Sequence, residues 1–229
     1  MKNKNAIFVV SVGDDSKLNY SLPTFNSYAD KVNADVILIR DSKYSLKSNF
    51  PGYYNYLNFE KNQIFYEFDN YERILRLDSD ILITPNAPNY FELDPSFLYV
   101  SREDVGSRAS SRWNEISTIK KALGDIPDWD KFYYNSGVML ASNIHKYAFD
   151  ISDIDFDKDL GQFKEQNVVN WKSNYYNFKL KDLGRNFNFT AAHEEISSTS
   201  RLEADIIHYA GNQQTKEQKM ASDFKKLYS

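Results

Sequence analysis

No cysteine occurs among the 229 residues. Disulfides and zinc-thiolate sites are thereby excluded, while a reducing and an oxidising compartment both remain compatible with the chain. Nor is there an apolar run of membrane-spanning length. The first apolar stretch, Ala6 to Val10, is about half as long as a signal-peptide core and has no small-residue cleavage site after it. It reads as a buried strand, and the expectation is a cytoplasmic soluble protein without a membrane span. Basic residues are not in excess: 28 Lys and Arg stand against 32 Asp and Glu, for a formal net charge of −4. With no long basic run either, the charge footprint of nucleic-acid binding is missing, although a compact anion such as a diphosphate stays possible. Histidine is scarce at three residues, so each one can be weighed individually.

What is abundant is aromatic. Tyr (17), Phe (16) and Trp (3) bring the aromatic share to 16%, supplying flat apolar faces that fill a core or stack on sugar rings and bases. Hydrophobic residues at 41% and charged residues at 26% are near globular averages, and the length suits a single α/β domain. The run AIFVVSVGDD, residues 6 to 15, predicts a central parallel strand opening into a loop at its C-terminal end, where ligands bind in such sheets. Helical spacing over Pro23 to Val32 and a second buried strand over Ala34 to Ile39 complete a βαβ unit. Ser42 to Asn55 reads as a mobile loop able to cover a ligand. Leu57 to Phe68 predicts one helix, with Leu57, Ile64, Phe65 and Phe68 on its apolar face. Further signals predict a helix over Trp113 to Leu123, an aromatic-rich strand over Phe132 to Leu140, and a polar C-terminal helix or tail.

Between the apolar runs ILRL and ILIT stand Asp78, Ser79 and Asp80. Charges inserted between two buried strands are costly unless something compensates them, and a metal ion would. In a regular strand the two carboxylates point to opposite faces, but in a turn at a strand end both reach one divalent cation. A solvated turn is the plain alternative. His208 in IIHYAG follows another apolar pair. Its imidazole would favour Mn²⁺ over Mg²⁺ or Ca²⁺, and Gly211 would let a backbone amide approach a phosphate closely. His145 and His193 sit in polar stretches and are read as surface residues.

LRLDSDILI, YYNSGVMLAS, EQNVVN and IIHYAGN, in that order, resemble the D-x-D, N-A-G, D-Q-D and H-x-x-G motifs of the GT-A glycosyltransferases. The likeness is greatest to the glycogenin and galactosyltransferase-like, family 8-like group, and it runs from about residue 6 to 212. It implies a GT-A type α/β fold with a Rossmann-like, mostly parallel central sheet flanked by helices. The expected division is one domain over 1–229: a nucleotide-binding half to about 100, an acceptor and sugar half to about 212, and a tail over 213–229.

The implied function is metal-dependent transfer of a sugar from a nucleotide-sugar donor, by preference a UDP-sugar, to a glycan or other hydroxyl acceptor. Asp78, Asp80 and His208 would hold Mn²⁺ or Mg²⁺, with Asp78 also serving the donor ribose beside Ser79. Lys61 matches a basic position facing the donor. Asn135, Ser136 and Gly137 match N-A-G beside the donor sugar, with Ser136 in place of Ala. Glu165 and Gln166 match the first two positions of D-Q-D near the anomeric carbon and are the candidate catalytic residues, while Asn167 replaces the last acid. For the base, the loop after the first strand offers Ser11, Val12, Asp14 and Asp15. Where the family often has Lys-Pro-Trp after the H-x-x-G glycine, this chain has Asn212 to Thr215 before Lys216, which leaves a phosphate contact there open and reads Lys216 as a surface residue. As general bases, Glu165, Asp104 and Asp153 are acids available in principle. The competing readings are a sugar-nucleotide nucleotidyltransferase, which would carry a Gly-rich basic loop after its first strand, and a catalytically inactive binding protein on the same scaffold.

Overall fold

The computed structural model describes residues 4–13, 16–44, 54–129, 132–211 and 215–228. Strand β1 (Asn5–Val10) pairs in parallel with β2 (Asp35–Ile39) and β3 (Arg73–Leu77). On the far side of β3, β6 (Val138–Ser142) runs antiparallel to both β3 and β5 (Phe97–Val100), and β7 (Lys179–Asp182) extends β5 in parallel. The order is β2-β1-β3-β6-β5-β7. This mostly parallel α/β sheet is covered on both faces, which is why β1 reads as an unbroken apolar run and why even the two arginines of β3, Arg73 and Arg76, are buried. Ile7 and Val9 pack on one side with Phe25, Leu75, Leu77 and Leu140. Ala6 and Phe8, one residue out of phase, pack on the other with Ile64, Ile74, Met139 and Phe149.

Several predicted bounds are corrected. Helix α1 (Leu18–Val32) begins before Pro23 and contains it, ending at Asn33 in the left-handed region with φ 53°. β2 is half-buried throughout because it is the sheet edge, not an inner strand. The expected helix over Leu57 to Phe68 is instead α2 (Tyr54–Leu57), a 3₁₀ segment over Asn58–Gln63 and α3 (Ile64–Glu67). That change of pitch buries Phe59, Glu60 and Asn62 and leaves Leu57 exposed. Glu60 accepts hydrogen bonds from Ser42, Lys43, Tyr44 and Gln63 and so ties down the start of the predicted loop, most of which lies outside the described residues. Helix α4 (Ala109–Leu123) starts earlier than its apolar residues suggest, and the Phe132 to Leu140 strand reduces to β6, preceded by an irregular segment bridged at Arg102 and Tyr134.

After β3 the chain leaves the main sheet. β4 (Ile81–Ile83) joins β8 (Ile206–His208) in a separate antiparallel pair, in register Ile81 with His208. Helix α5 (Lys164–Tyr175) packs against α4, and α7 (Lys216–Tyr228) packs on the β4–β8 pair through Met220, with Phe189 and Tyr209 in the same cluster. The polar C-terminal stretch is thus a docked helix. Among the described residues no helix is long and apolar enough to cross a membrane.

Candidate functional site

The switch from one sheet to the other places the charged turn. Asp78 donates its backbone N–H to the Gly137 carbonyl, and Tyr209 donates its own to the Asp80 carbonyl, both within 3.0 Å. The β4–β8 register then sets His208 beside both acids: Nε2 lies 3.7 Å from Asp78 Oδ2 and 3.3 Å from Asp80 Oδ1. One ligand atom from each of the three residues falls within 4.8 Å of the others. Gly137 is required by this closeness, since a Cβ there would stand 2.3 Å from His208 Cε1 and 2.8 Å from Asp78 Oδ2.

The imidazole's orientation follows from a chain of hydrogen bonds anchored on backbone. Gly137 N–H donates to Asn135 Oδ1 at 2.9 Å, which identifies that atom as oxygen. Asn188 Nδ2 donates to the same oxygen at 3.1 Å, so the other arm of Asn188 is its carbonyl, 3.0 Å from His208 Nδ1. Nδ1 therefore carries a hydrogen, and Nε2 is the nitrogen left facing the two aspartates. Nε2 and two carboxylates crowded together call for positive charge among them, either a proton on Nε2 or a metal cation in its place. One nitrogen and two hard oxygens form a donor set that suits a divalent ion.

Two lysines flank the centre. Lys61 Nζ stands 2.6 Å from Asp78 Oδ1, and Lys216 Nζ stands 2.6 Å from Asp80 Oδ2. Burial alone would raise both carboxyls. Lys61 and His208 beside Asp78, and His208 and Lys216 beside Asp80, outweigh it and hold both below the usual carboxylate range.

A cavity of about 370 Å³ opens from this centre. Its lining includes Lys61, Asp78, Asp80, His208 and Gly211 at the aspartate end, and Glu103, Arg108, Arg112, Glu165 and Gln166 further along. Both oxygens of Glu165 are engaged: Arg76 Nη2 donates to Oε1 at 2.7 Å and Ser136 Oγ to Oε2 at 2.9 Å. Gln166 Oε1 accepts from Asn135 Nδ2 and Ser136 N–H, while Nε2 donates to Glu103 Oε2 and Tyr133 OH. All four hydrogen-bonding positions of that carboxamide are filled by protein.

The family described as Glycosyl transferase family 8 matches residues 4–216. The chain belongs to this family. It is a glycosyltransferase, which sets aside the nucleotidyltransferase reading. Curated proteins give no match. Among solved structures, the chain is similar to the galactosyltransferase LgtC in complex with donor and acceptor sugar analogs, at 14% identity and TM-score 0.59 over 98% of this chain and 96% of that one. A glycosyltransferase involved in glycosylation of the major capsid of PBCV-1 gives 14% identity and TM-score 0.58 over 95% and 98%. GlyE of Streptococcus pneumoniae TIGR4 gives 14% and 0.57 over 97% of this chain and 60% of that one. At such identities the likeness is one of fold, and the fold is GT-A.

Within the transferase, Asp78, Asp80, His208, Lys61, Asn135, Ser136, Gly137, Glu165 and Gln166 are brought together as a group. Gly211 lines the cavity with φ 91° and no atom within 4 Å of where a Cβ would be. Ser11 and Val12 follow the C-terminal end of β1, and Ser79 sits in the turn, but none of the three lines the cavity. Asp14 and Asp15 lie outside the described residues. Asp104 is held by Arg102, and Asp153 pairs with Lys172; neither lines the cavity.

The reading of His145 and His193 as surface residues is overturned. Both are buried, at 1% and 7% exposure, and each closes the first turn of a short helical segment by accepting a backbone N–H on Nδ1, from Ser142 and Thr190 respectively. Lys216 is also more than a surface residue, being paired with Asp80. Sequence reasoning passed over Asn188, Glu103, Arg108 and Arg112. The two arginines did leave a signal, an i, i+4 spacing at the start of a helix.

Proposed function

We propose that this family 8 glycosyltransferase binds a nucleotide-sugar donor, by preference a UDP-sugar, over a divalent cation, Mn²⁺ or Mg²⁺, held by Asp78, Asp80 and His208. It passes the sugar to a hydroxyl of a glycan or similar acceptor and works as a single domain. The observation that carries this reading is the convergence of two ionised carboxylates and one oriented imidazole nitrogen, flanked by two lysines, at the mouth of the cavity. A bound cation supplies Lewis-acid neutralisation of the departing nucleoside diphosphate. Lys61 and Lys216 supply the remaining positive charge, each from beside an aspartate that the cation would otherwise neutralise.

Glu165 and Gln166 act in this reading by holding shape. Held by Arg76 and Ser136 on Glu165 and by four hydrogen bonds on Gln166, they fix Ser136, Asn135 and Glu103 around the transferred sugar. Calorimetric titration of UDP and GDP into metal-stripped protein, with and without Mn²⁺, tests the donor site. Mn²⁺-dependent binding of one nucleotide, lost in Asp80→Ala, is expected; binding of neither nucleotide under any metal condition would sink the reading.

A further inference from the structure

We propose that Arg108 and Arg112 select a sugar bearing an anionic group, a carboxylate or a phosphate, at the end of the cavity away from the aspartates. The inference rests on the donor-site reading above. Its starting point is a charge mismatch. Both guanidiniums converge on one carboxylate: Arg112 Nη2 donates to Glu103 Oε1 at 3.0 Å, and Arg108 Nη1 reaches the same oxygen at 3.5 Å. Among the described residues Glu103 is the sole carboxylate either arginine pairs with. Its other oxygen is taken by Gln166. Two cations against one anion leave a surplus positive charge on the cavity wall.

Neutralising Glu103 does not require both. Arg112 alone does so from a side chain only 8% exposed, with its guanidinium 4.2 Å over the Phe163 ring, a second bond to Ser111 and Nε without any partner. Arg108 adds little to that pair at 3.5 Å and is 27% exposed, so its fork is available to a ligand. A guanidinium open to the cavity at Arg108, backed by the positive charge of the buried Arg112, is an arrangement suited to bidentate recognition of a carboxylate or phosphate.

The position says which part of the substrate is read. From His208 the hydrogen bonds run through Asn188, Asn135 and Gln166 to Glu103 and then the arginines. The arginines therefore lie past the residues placed around the transferred sugar. The diphosphate's own charge is matched at the other end, by Lys61, Lys216 and the cation. What meets the arginines is a substituent of the donor sugar or of the acceptor.

The test uses Mn²⁺-loaded protein titrated calorimetrically with UDP, UDP-glucose and UDP-glucuronate, and the UDP complex titrated with methyl glucuronide and glucose 6-phosphate. An anionic group on the donor gives UDP-glucuronate at least about ten-fold tighter binding than UDP-glucose. An anionic group on the acceptor gives uptake of the glucuronide or the phosphosugar by the UDP complex. In either case Arg108→Gln abolishes most of the preference, and so does Arg112→Lys, which keeps the charge but removes the fork; melting curves check that each variant folds. UDP binding with no preference for charged sugars in either arm overturns this inference alone, as does a preference that survives both substitutions. Failure of UDP itself to bind overturns the donor-site reading together with it.

Discussion

Asn188 touches neither acid of the Asp78–Asp80 pair, yet it decides which face His208 shows them. Without its carbonyl, Nδ1 loses the partner that fixes the tautomer. Groups in this position typically alter metal affinity by about 10–100-fold. Asn188→Ala is expected to weaken Mn²⁺ binding by that factor, read by electron paramagnetic resonance of free Mn²⁺, with the circular dichroism spectrum unchanged; affinity equal to the parent's would show that Asn188 has no such role. His145 gives a second prediction at this scale. Burial lowers its pKa to about 4, so the folded protein holds it neutral while the unfolded chain protonates it near pH 6.5. Between those values the unfolded state binds more protons, and stability is lost as pH falls from about 6.5 to about 4, by up to roughly 3 kcal/mol. Urea denaturation of His145→Gln against the parent checks it: the variant's midpoint should vary less with pH across that window. Asp78, Asp80 and His208 were legible in the sequence because each interrupts or ends an apolar run. Asn188 and the buried histidines were not, since their roles depend on partners that only the fold brings near.

Elements repeat this division. β1 announces itself as an unbroken apolar run because both faces are covered, whereas the 3₁₀ segment over Asn58–Gln63 hides in what looks like a continuous helix. The segment from Ser101 to Arg112 carries the cavity residues Glu103, Arg108 and Arg112 in a polar stretch with no apolar periodicity to mark it. Helix α7 was legible as a helix but not as part of the site. Its anchor is Asp223, fully buried, which accepts from Arg201 Nε at 2.6 Å and from Tyr209 OH at 2.7 Å. Removing that carboxylate strands both partners. Because Arg201 is partly exposed, Asp223→Ala should cost about 2 kcal/mol, toward the lower end for a broken buried pair. Undocking α7 should also take Lys216 away from Asp80, so weaker nucleotide binding should accompany the lower midpoint in denaturant; full nucleotide affinity in the destabilised variant would show that α7 and the site are independent.

For the whole molecule, a cation that binds only the folded chain must stabilise it. At a free Mn²⁺ concentration 100 times its dissociation constant the gain is about 2.7 kcal/mol, or roughly 5–10 °C in melting temperature for a chain of 229 residues. Calorimetric melting with Mn²⁺ and with a chelator measures it. A rise that vanishes in Asp80→Ala is expected, and no rise in the parent would mean that the folded chain holds no such ion.

The two lysines beside the aspartates come from opposite ends of the chain. Lys61 precedes Asp78 on a neighbouring segment, while Lys216 is separated from Asp80 by 136 positions and arrives with the last helix. During synthesis from the N-terminus, the acids therefore wait beside one lysine while nearly all of the remaining chain is made. His208 and Lys216 appear together much later, and contacts this distant in sequence are the slow ones to close. The centre is thereby tied to the arrival of residues far along the chain: both carboxylates are made long before His208 and Lys216 can join them.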